Sequence, residues 1–495
     1  MPLADTPPQP PVSAAALVEI RITAERVAVD QGAHMGLVGL HYLRPIGQNW
    51  VGGVSVFGAA QGDRGGFFGW GVDAAYRQRW GDWSGEVGLF VGGGGGSPSW
   101  VGGGLMLRPQ VMLTRHWSDL SLGAGVSQLR FPNGAVHSSQ PFLSLGMSGD
   151  VLFGPASGQT SAAPLPEREQ VQALAGEVSA LAGRYALRGG SARRDGAGPA
   201  TDLRFGGLVL RRAWAPGSSA IQPYWAISAA GSLTAAYAGY AELIGSLGVQ
   251  YSPMPALALR AEAGLGSGGA GSLVESGGGL LRKASVGASL NLVSNLTVAA
   301  SVGRVASQGR FQANEARLEL GLRGYDLVPR GAAPASTMPI GGYAWAPWTL
   351  SSVYAHYARM VRDTGGRPAL GLTAIKVERE LDAHWRVVGQ AGIGVGGNAG
   401  GYATGQLGLG WLTAAVADPA WRFGAEASLG AAGGGGVNVG GGLIGQAQLQ
   451  ARRALSPDWS LQADAGWLRS RSGSLSSPFV GISAVFSFSR LQIGR

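Results

Sequence analysis

The feature that most restricts what this chain can become is a period of two. In "LVEIRITAERV", Val18, Ile20, Ile22 and Ala24 fall on one side of an extended backbone, and Glu19, Arg21, Thr23 and Glu25 on the other. Successive side chains of a strand point to opposite faces, so such alternation marks a strand with two unlike faces. "LMLRPQVMLT" repeats it, with Leu105, Leu107, Val111 and Leu113 opposing Met106, Arg108, Gln110 and Thr114. So does "LIGQAQLQAR", where Leu443, Ala447 and Leu449 oppose Gln446, Gln448, Gln450 and Arg452. In "DLSLGAGVSQ", Leu120, Leu122, Ala124 and Val126 oppose Ser121, Gly123, Gly125 and Ser127.

The second face is tiny or neutral-polar more often than charged. Charged residues make up 14% of the 495, and Lys283 and Lys376 are the only lysines. A soluble sandwich exposes Lys and Glu freely on its outer face. Mean hydropathy is +0.11, yet no run of 18 apolar residues is present to cross a bilayer as a helix. In lipid a backbone must satisfy its hydrogen bonds internally, so strands must close with no free edge. These constraints predict an all-β fold: an antiparallel up-and-down transmembrane β-barrel.

Two kinds of separator alternate along the chain. Short ones carry Asp, Asn, Pro or Trp: "PIGQNW", "GDW", "RHWSD", "QPYW", "SNL", "DAHW", "DPAW" and "SPDW". Longer ones are glycine-rich: "AAQGDRGG", "GGGGGSPSW", "RFPNGAVHSSQ". Successive turns of a meander lie at opposite ends, which accounts for the two classes. Trp50, Trp83, Trp117, Trp225, Trp385, Trp421 and Trp459 sit at the short class, where an aromatic girdle would meet the membrane interface.

The pattern recurs three times. "GGGGGSPSWVGGGL", "GSGGAGSLVESGGGLL" and "GAAGGGGVNVGGGLI" occupy matching places in copies at 16–153, 179–328 and 348–488. Each copy holds about eight strands. A Pro-rich segment, 1–15, precedes them, and a tail, 489–495, follows. Linkers at 154–178 and 329–347 are rich in Pro, Ala and Ser, and the even strand number puts both on the periplasmic side. In the first linker, "PEREQVQALAGEVSAL" spaces Val171, Leu174, Val178 and Leu181 as a short helix would. The glycine runs are expected as loops between the fifth and sixth strands, with "GGGL" letting the sixth strand begin bent. No GK[ST] or following helix supports a phosphate-cradling loop.

On these residues the chain resembles a bacterial outer-membrane β-barrel protein of the porin or exporter type, over nearly its whole length. "PFVGISAVFSFSRLQIGR" resembles the terminal amphipathic strand of such proteins, with Val480, Ile482, Ala484, Phe486 and Phe488 alternating, although it does not end on an aromatic residue. Three copies of eight strands allow one barrel of ~24 strands or three small ones. An eight-stranded barrel fills its interior with side chains, whereas wider ones leave a channel. The abundance of Gly, Ser and Ala inside favours the single wide ring.

Chemistry of other kinds finds little support. With no cysteine there is no disulfide or thiolate site. The six histidines, His34, His41, His116, His137, His356 and His384, show no metal-ligand spacing. No metal, no cofactor and no nucleic-acid partner is expected, since the arginines behind the +9 net charge are scattered. The leading functional expectation is a pore for export or diffusion of polar or anionic solutes or polymers, lined by Arg21, Glu25, Arg108, Gln110, Gln446, Gln448 and Arg452. A plug is expected: the Pro-rich N-terminus, the helix near 166–182 or a periplasmic partner. The alternatives are a structural or surface-binding barrel (an adhesin or receptor) and, third, an outer-membrane hydrolase, for which no site is visible. The resemblance implies a bacterial outer-membrane location and contact with lipopolysaccharide. No signal peptide is seen in "MPLADTPPQPPVSAAALVEI".

Overall fold

The computed structural model describes residues 15–29, 32–62, 65–96, 98–154, 166, 171–188, 202–215, 220–234, 237, 239–269, 276–293, 295–329, 342–414 and 421–493. Twenty-four strands form, in three sets of eight. The first set is β1 (Ala15–Ala28), β2 (His34–Pro45), β3 (Trp50–Gly62), β4 (Phe68–Trp80), β5 (Trp83–Gly95), β6 (Leu105–Trp117), β7 (Leu120–Arg130) and β8 (His137–Gly154). The second is β9 (Val171–Leu187), β10 (Leu203–Ala213), β11 (Ile221–Ser232), β12 (Ala241–Met254), β13 (Leu257–Gly269), β14 (Leu280–Val293), β15 (Leu296–Ser307) and β16 (Gln312–Pro329). The third is β17 (Tyr343–Tyr357), β18 (Leu370–Glu380), β19 (Trp385–Gly394), β20 (Ala403–Leu412), β21 (Trp421–Gly433), β22 (Leu443–Ala454), β23 (Trp459–Ser470) and β24 (Ser476–Ile493). A single helical turn, α1 (Pro98–Val101), is the only helix among the described residues.

The all-β, antiparallel, up-and-down fold is as expected, but the closure is not. β1 pairs with β8 from Ala15↔Leu152 to Glu25↔Phe142. β9 pairs with β16 from Val171↔Pro329 to Leu187↔Ala313. β17 pairs with β24 from Tyr343↔Ile493 to Tyr357↔Phe479. Each set of eight therefore closes on itself, giving three small barrels in place of one ring of ~24. The small inward residues, taken as a sign of a wide lumen, are spacers in a narrow one. A Cβ on Gly146 would lie 2.3 Å from Ser121 Oγ and 3.1 Å from Glu19 Oε1. One on Gly321 would lie 2.4 Å from Ser179 Oγ and 3.2 Å from Glu177 Cγ. Small residues on one strand make room for long ones from its neighbours.

The short helix expected near 166–182 is also corrected. Val171–Leu187 is β9, the closing strand of barrel 2. Val171, Leu174, Val178 and Leu181 fit a helical stripe but split between the two faces of a strand, and the cost of leaving an edge unpaired decides in favour of the strand. It is thus wall, not plug. Residues 1–14, and most of the two linkers, lie outside the described residues.

The barrels stand side by side about an approximate three-fold axis. At the long-loop end the third strand of one barrel meets the fifth of the next: β3 with β13, β11 with β21, β19 with β5. At the short-turn end β8, β16 and β24 come together, through Ser489↔Gly154 and Asp326↔Gln492, around an apolar cluster of Leu152, Val171, Leu327, Trp345 and Leu491.

The glycine runs make the long-loop seams. In each "GGGL" the first and third glycines have positive φ: 58° and 93° at Gly102 and Gly104, 61° and 96° at Gly277 and Gly279, 61° and 88° at Gly440 and Gly442. Only glycine adopts these values freely. The same tight turn closes each time, Gly104 N donating to Val101 O, Gly279 N to Ser276 O, Gly442 N to Val439 O. The turn presents bare backbone to the neighbouring barrel. Gly65 N donates to Gly277 O at 3.2 Å, and Gly400 N to Gly102 O at 2.9 Å. Ser267 Oγ donates to Ala59 O at 2.7 Å, and Trp70 Nε1 to Ala391 O at 3.2 Å.

A cross-link tests this closure. A Cβ on Gly231 (β11) would lie 3.7 Å from that of Ala431 (β21), close to the disulfide mean. The chain has no native cysteine, so the double variant Gly231→Cys, Ala431→Cys should oxidise to an internal bridge that changes mobility on a denaturing gel. In one ring of 24, these strands would stand ten apart and no bridge would form.

Candidate functional site in the barrel lumina

Strand alternation sorts each wall. Apolar side chains such as Ile22, Val111, Leu143, Val302, Leu320, Leu449 and Ile482 face out and are exposed. Polar ones face in and are buried, the partition required of a barrel in a bilayer. All seven expected lining residues face inward: Arg21, Glu25, Arg108 and Gln110 in barrel 1, Gln446, Gln448 and Arg452 in barrel 3. They therefore belong to two separate lumina, and their polar atoms are largely engaged by one another and by residues the sequence reading did not single out.

In barrel 1, Arg21 donates to Glu19 (2.8 Å) and grips Glu86 with two bonds of 2.8 and 3.0 Å. Arg77 adds to both carboxylates at 2.8 Å. Further toward the long-loop end Arg108 donates twice to Glu25, at 2.9 and 3.1 Å, beside Gln110, Ser127 and Gln140. In barrel 2, Arg211 donates to Glu319 at 2.6 and 2.9 Å, and Arg260 to Glu177 at 2.9 and 2.8 Å. Lys283 donates to Glu242 at 3.0 Å, Glu315 at 2.9 Å and Tyr185 at 2.6 Å. In barrel 3, Glu378 accepts from Arg452 at 2.9 and 2.8 Å and from Arg386 at 3.3 Å. Lys376 lies 3.5 Å from Glu378 and 2.5 Å from Glu426. Gln462 and Gln448 donate to Asp464, and Gln446 to Gln448. Both lysines of the chain are thus inside barrels, each between two glutamates.

Above each ionic layer, toward the long-loop end, the lumen is closed by an apolar cluster. Barrel 1 has Phe57, Phe67, Phe90, Trp100 and Phe131; barrel 2 has Phe205, Tyr237, Tyr240 and Phe311; barrel 3 has Tyr357, Met360, Tyr402 and Phe479. A hydrophobic constriction of this kind excludes water and ions.

Barrel 1 also brings together Ser55, His41 and Asp73, with Ser55 Oγ 2.6 Å from His41 Nδ1, His41 Nδ1 3.1 Å from Asp73 Oδ2 and Thr23 Oγ1 3.0 Å from His41 Nε2. Catalysis by such a set needs the base to bridge nucleophile and acid through its two ring nitrogens. Here Ser55 and Asp73 share one nitrogen, and the group is buried below the aromatic cluster, so it is not arranged as a nucleophile–base–acid relay. Among the described residues no group of His, Asp and Glu is arranged to hold a metal ion. His137 is exposed at the start of β8.

The seven expected tryptophans occupy the short-turn rim and face outward. Trp50, Trp83, Trp385, Trp421 and Trp459 open their strands; Trp117 instead closes β6, and Trp225 lies inside β11. Trp80, Trp214 and Trp411, which the sequence reading passed over, are exposed at the same rim.

No family model matches the chain, and no curated protein matches it. Among solved structures it is similar to a ferric enterobactin receptor variant from Pseudomonas aeruginosa, with 11% identity, 97% of this chain and 82% of that one covered, and a TM-score of 0.28. It is similar to the siderophore receptor PiuA from Acinetobacter baumannii, with 8% identity over 96% and 82%, and a TM-score of 0.26. OccK11 of Pseudomonas aeruginosa matches with 11% identity over 96% and 95%, and a TM-score of 0.21. At such TM-scores these likenesses carry no argument about what the chain does.

Proposed function

We propose that this chain is an integral protein of the bacterial outer membrane whose three barrels are sealed in their resting state, and that it serves as a membrane-embedded structural or surface-binding unit. The observation that supports this most is the double closure of each lumen: a layer of ion pairs at mid-height and an aromatic cluster at the long-loop mouth. Leaving one charge of such a buried pair unpaired costs about 3–5 kcal/mol, so the pairs stay joined at rest. The outward tryptophans at the short-turn rim support a membrane interface there, and short turns of outer-membrane barrels are the periplasmic ones.

The passage for polar or anionic solutes is the second reading, favoured by the inward direction of all seven expected lining residues. In three narrow barrels it requires the ion pairs to exchange partners and the aromatic cluster to part. One experiment separates the two. Purified full chain reconstituted in a planar bilayer is expected to show no steady conductance steps at neutral pH. Sustained ohmic steps that respond to Glu378→Gln or Arg108→Gln would overturn the sealed resting state and favour the passage.

A further inference from the structure

Each barrel places an arginine at the same point of its outer surface. Arg44, Arg212 and Arg379 are the penultimate residues of β2, β10 and β18, the second strand of each set. All three face outward, since their neighbours Leu43, Arg211 and Glu378 are buried in the lumina. They stand at the short-turn end and turn toward the junction where β8, β16 and β24 meet. Arg44 lies over the rings of Phe153 (β8) and Phe486 (β24), at 5.1 and 4.5 Å from their centres, and Phe153 is paired with Arg490 (β24). Arg490 and Arg212 reach the same carboxylate, Asp326 (β16), at 3.4 and 3.6 Å. Arg379 donates at 2.8 Å to Gln492, which is itself paired with Asp326. These contacts draw arginines of all three barrels to one place.

Ion pairing within the chain does not account for this gathering. Arg44, Arg212 and Arg490 bring three positive charges, and among the described residues the ion pairs set one carboxylate, Asp326, against them. Arg115 and Arg453, on the sixth strands at the same rim, instead stack on Trp83, Trp117 and Trp421 of their own barrels. Further toward the long-loop end the second strands continue as an apolar face. Leu40, Leu208 and Ile375 are half-buried there, whereas the outward leucines Leu143, Leu318 and Leu449 are 64%, 64% and 69% exposed. The inter-barrel contacts concentrate at the long-loop seams and at the junction of β8, β16 and β24. The shielded faces therefore look onto the space that the barrels share between those two levels. A cluster of guanidiniums at the height of the tryptophan rim, below an apolar cleft, has the chemistry of a lipid site. Forked donors match phosphate oxygens, and basic pockets between membrane-spanning elements take acidic headgroups. The excess of positive charge selects a headgroup with net negative charge over a zwitterionic one.

We propose that a phospholipid of the periplasmic leaflet with a net negative headgroup is held between the three barrels, its phosphate taken by Arg44, Arg212 and Arg490 and its acyl chains lying along Leu40, Leu208 and Ile375. The inference rests on the outer-membrane reading given above. The test titrates full chain in neutral detergent with phosphatidylglycerol, phosphatidylcholine, glycerol phosphate and diphosphoryl lipid A, with bound ligand read by native mass spectrometry. A single phosphatidylglycerol should be retained most tightly, and the triple variant Arg44→Gln, Arg212→Gln, Arg490→Gln should weaken it ~100-fold. Asp326→Asn removes the competing anion and should tighten it. The control variant Arg115→Gln, Arg453→Gln should leave it unchanged. Equal binding of phosphatidylcholine, or an unaffected triple variant, would overturn the site. Equally tight glycerol phosphate would overturn the part given to the apolar face. Equally tight lipid A, lost in the same triple variant, would overturn the choice of phospholipid. Insertion of the same variants into liposomes is scored separately, so loss of the site and loss of the membrane reading remain distinguishable.

Discussion

Glu378→Gln is expected to unfold barrel 3 at markedly lower denaturant than the parent chain, with a loss of about 3–5 kcal/mol. The carboxylate is the hub of its lumen, accepting from Arg452 and Arg386 with Lys376 alongside. Its removal leaves three cations around a neutral amide in a site closed to water. A large cost follows from the unpaired charges, not from the intrinsic worth of the pair, so a second substitution should recover part of it. Glu378→Gln with Arg452→Met should therefore be more stable than Glu378→Gln alone. Urea unfolding of the reconstituted chain, followed by tryptophan fluorescence, gives both numbers. Equal stability of the parent and Glu378→Gln would show that the lumen is hydrated and that the ionic layer is not a seal.

The second large effect concerns the seams. Gly95 and Gly278 have ordinary negative φ, so their lack of a side chain is not a matter of backbone conformation. A Cβ on Gly95 would lie 2.1 Å from Gly401 N in barrel 3, and one on Gly278 would lie 2.5 Å from Gln61 Cα in barrel 1. The obstructing atoms are backbone and cannot swing aside. Gly95→Val and Gly278→Val should each cost roughly 1–3 kcal/mol by overpacking, and together should part barrel 1 from the other two while the barrel 2–barrel 3 seam and each ring stay closed. The readout is the cross-link between residues 231 and 431, which should persist, beside a new protease susceptibility in the loops at 62–68 and 95–105. Gly405 has nothing within 4 Å of an added Cβ, so Gly405→Val is the matched control and should behave as the parent.

These two effects also show what could be read from the chain beforehand. The strands were legible because period two is local: Leu107, Arg108, Pro109, Gln110 and Val111 alternate outward and inward as spelled. The fifth-to-sixth position of the glycine loops was legible for the same reason. Ring size was not, because it depends on whether Ala15 meets Leu152 or another copy's strand, a pairing that no local pattern encodes. Counting small inward residues misled, since Gly146 and Gly321 are hollows that receive Glu19 and Glu177 from the neighbouring strand. The ionic partners were partly legible. Glu19 with Arg21, Arg317 with Glu319 and Lys376 with Glu378 are each two apart, hence on one face of one strand. Their partners across the lumen, Glu86 and Arg452 among them, required the closure to be known. The helix expected at Val171–Leu181 failed because four apolar residues share a helical stripe but split between the two faces of a strand, and only the pairing with β16 decides for the strand.

All three seams run in the same sense, the fifth strand of one copy always against the third of another. A contact of this head-to-tail kind makes an endless filament unless its rotation returns to the start, and here it returns after three steps. Stringing the copies on one polypeptide fixes that number and removes the need for identical subunits. Each copy is then free to carry what the others lack: barrel 1 has no lysine, whereas barrels 2 and 3 each hold one between two glutamates.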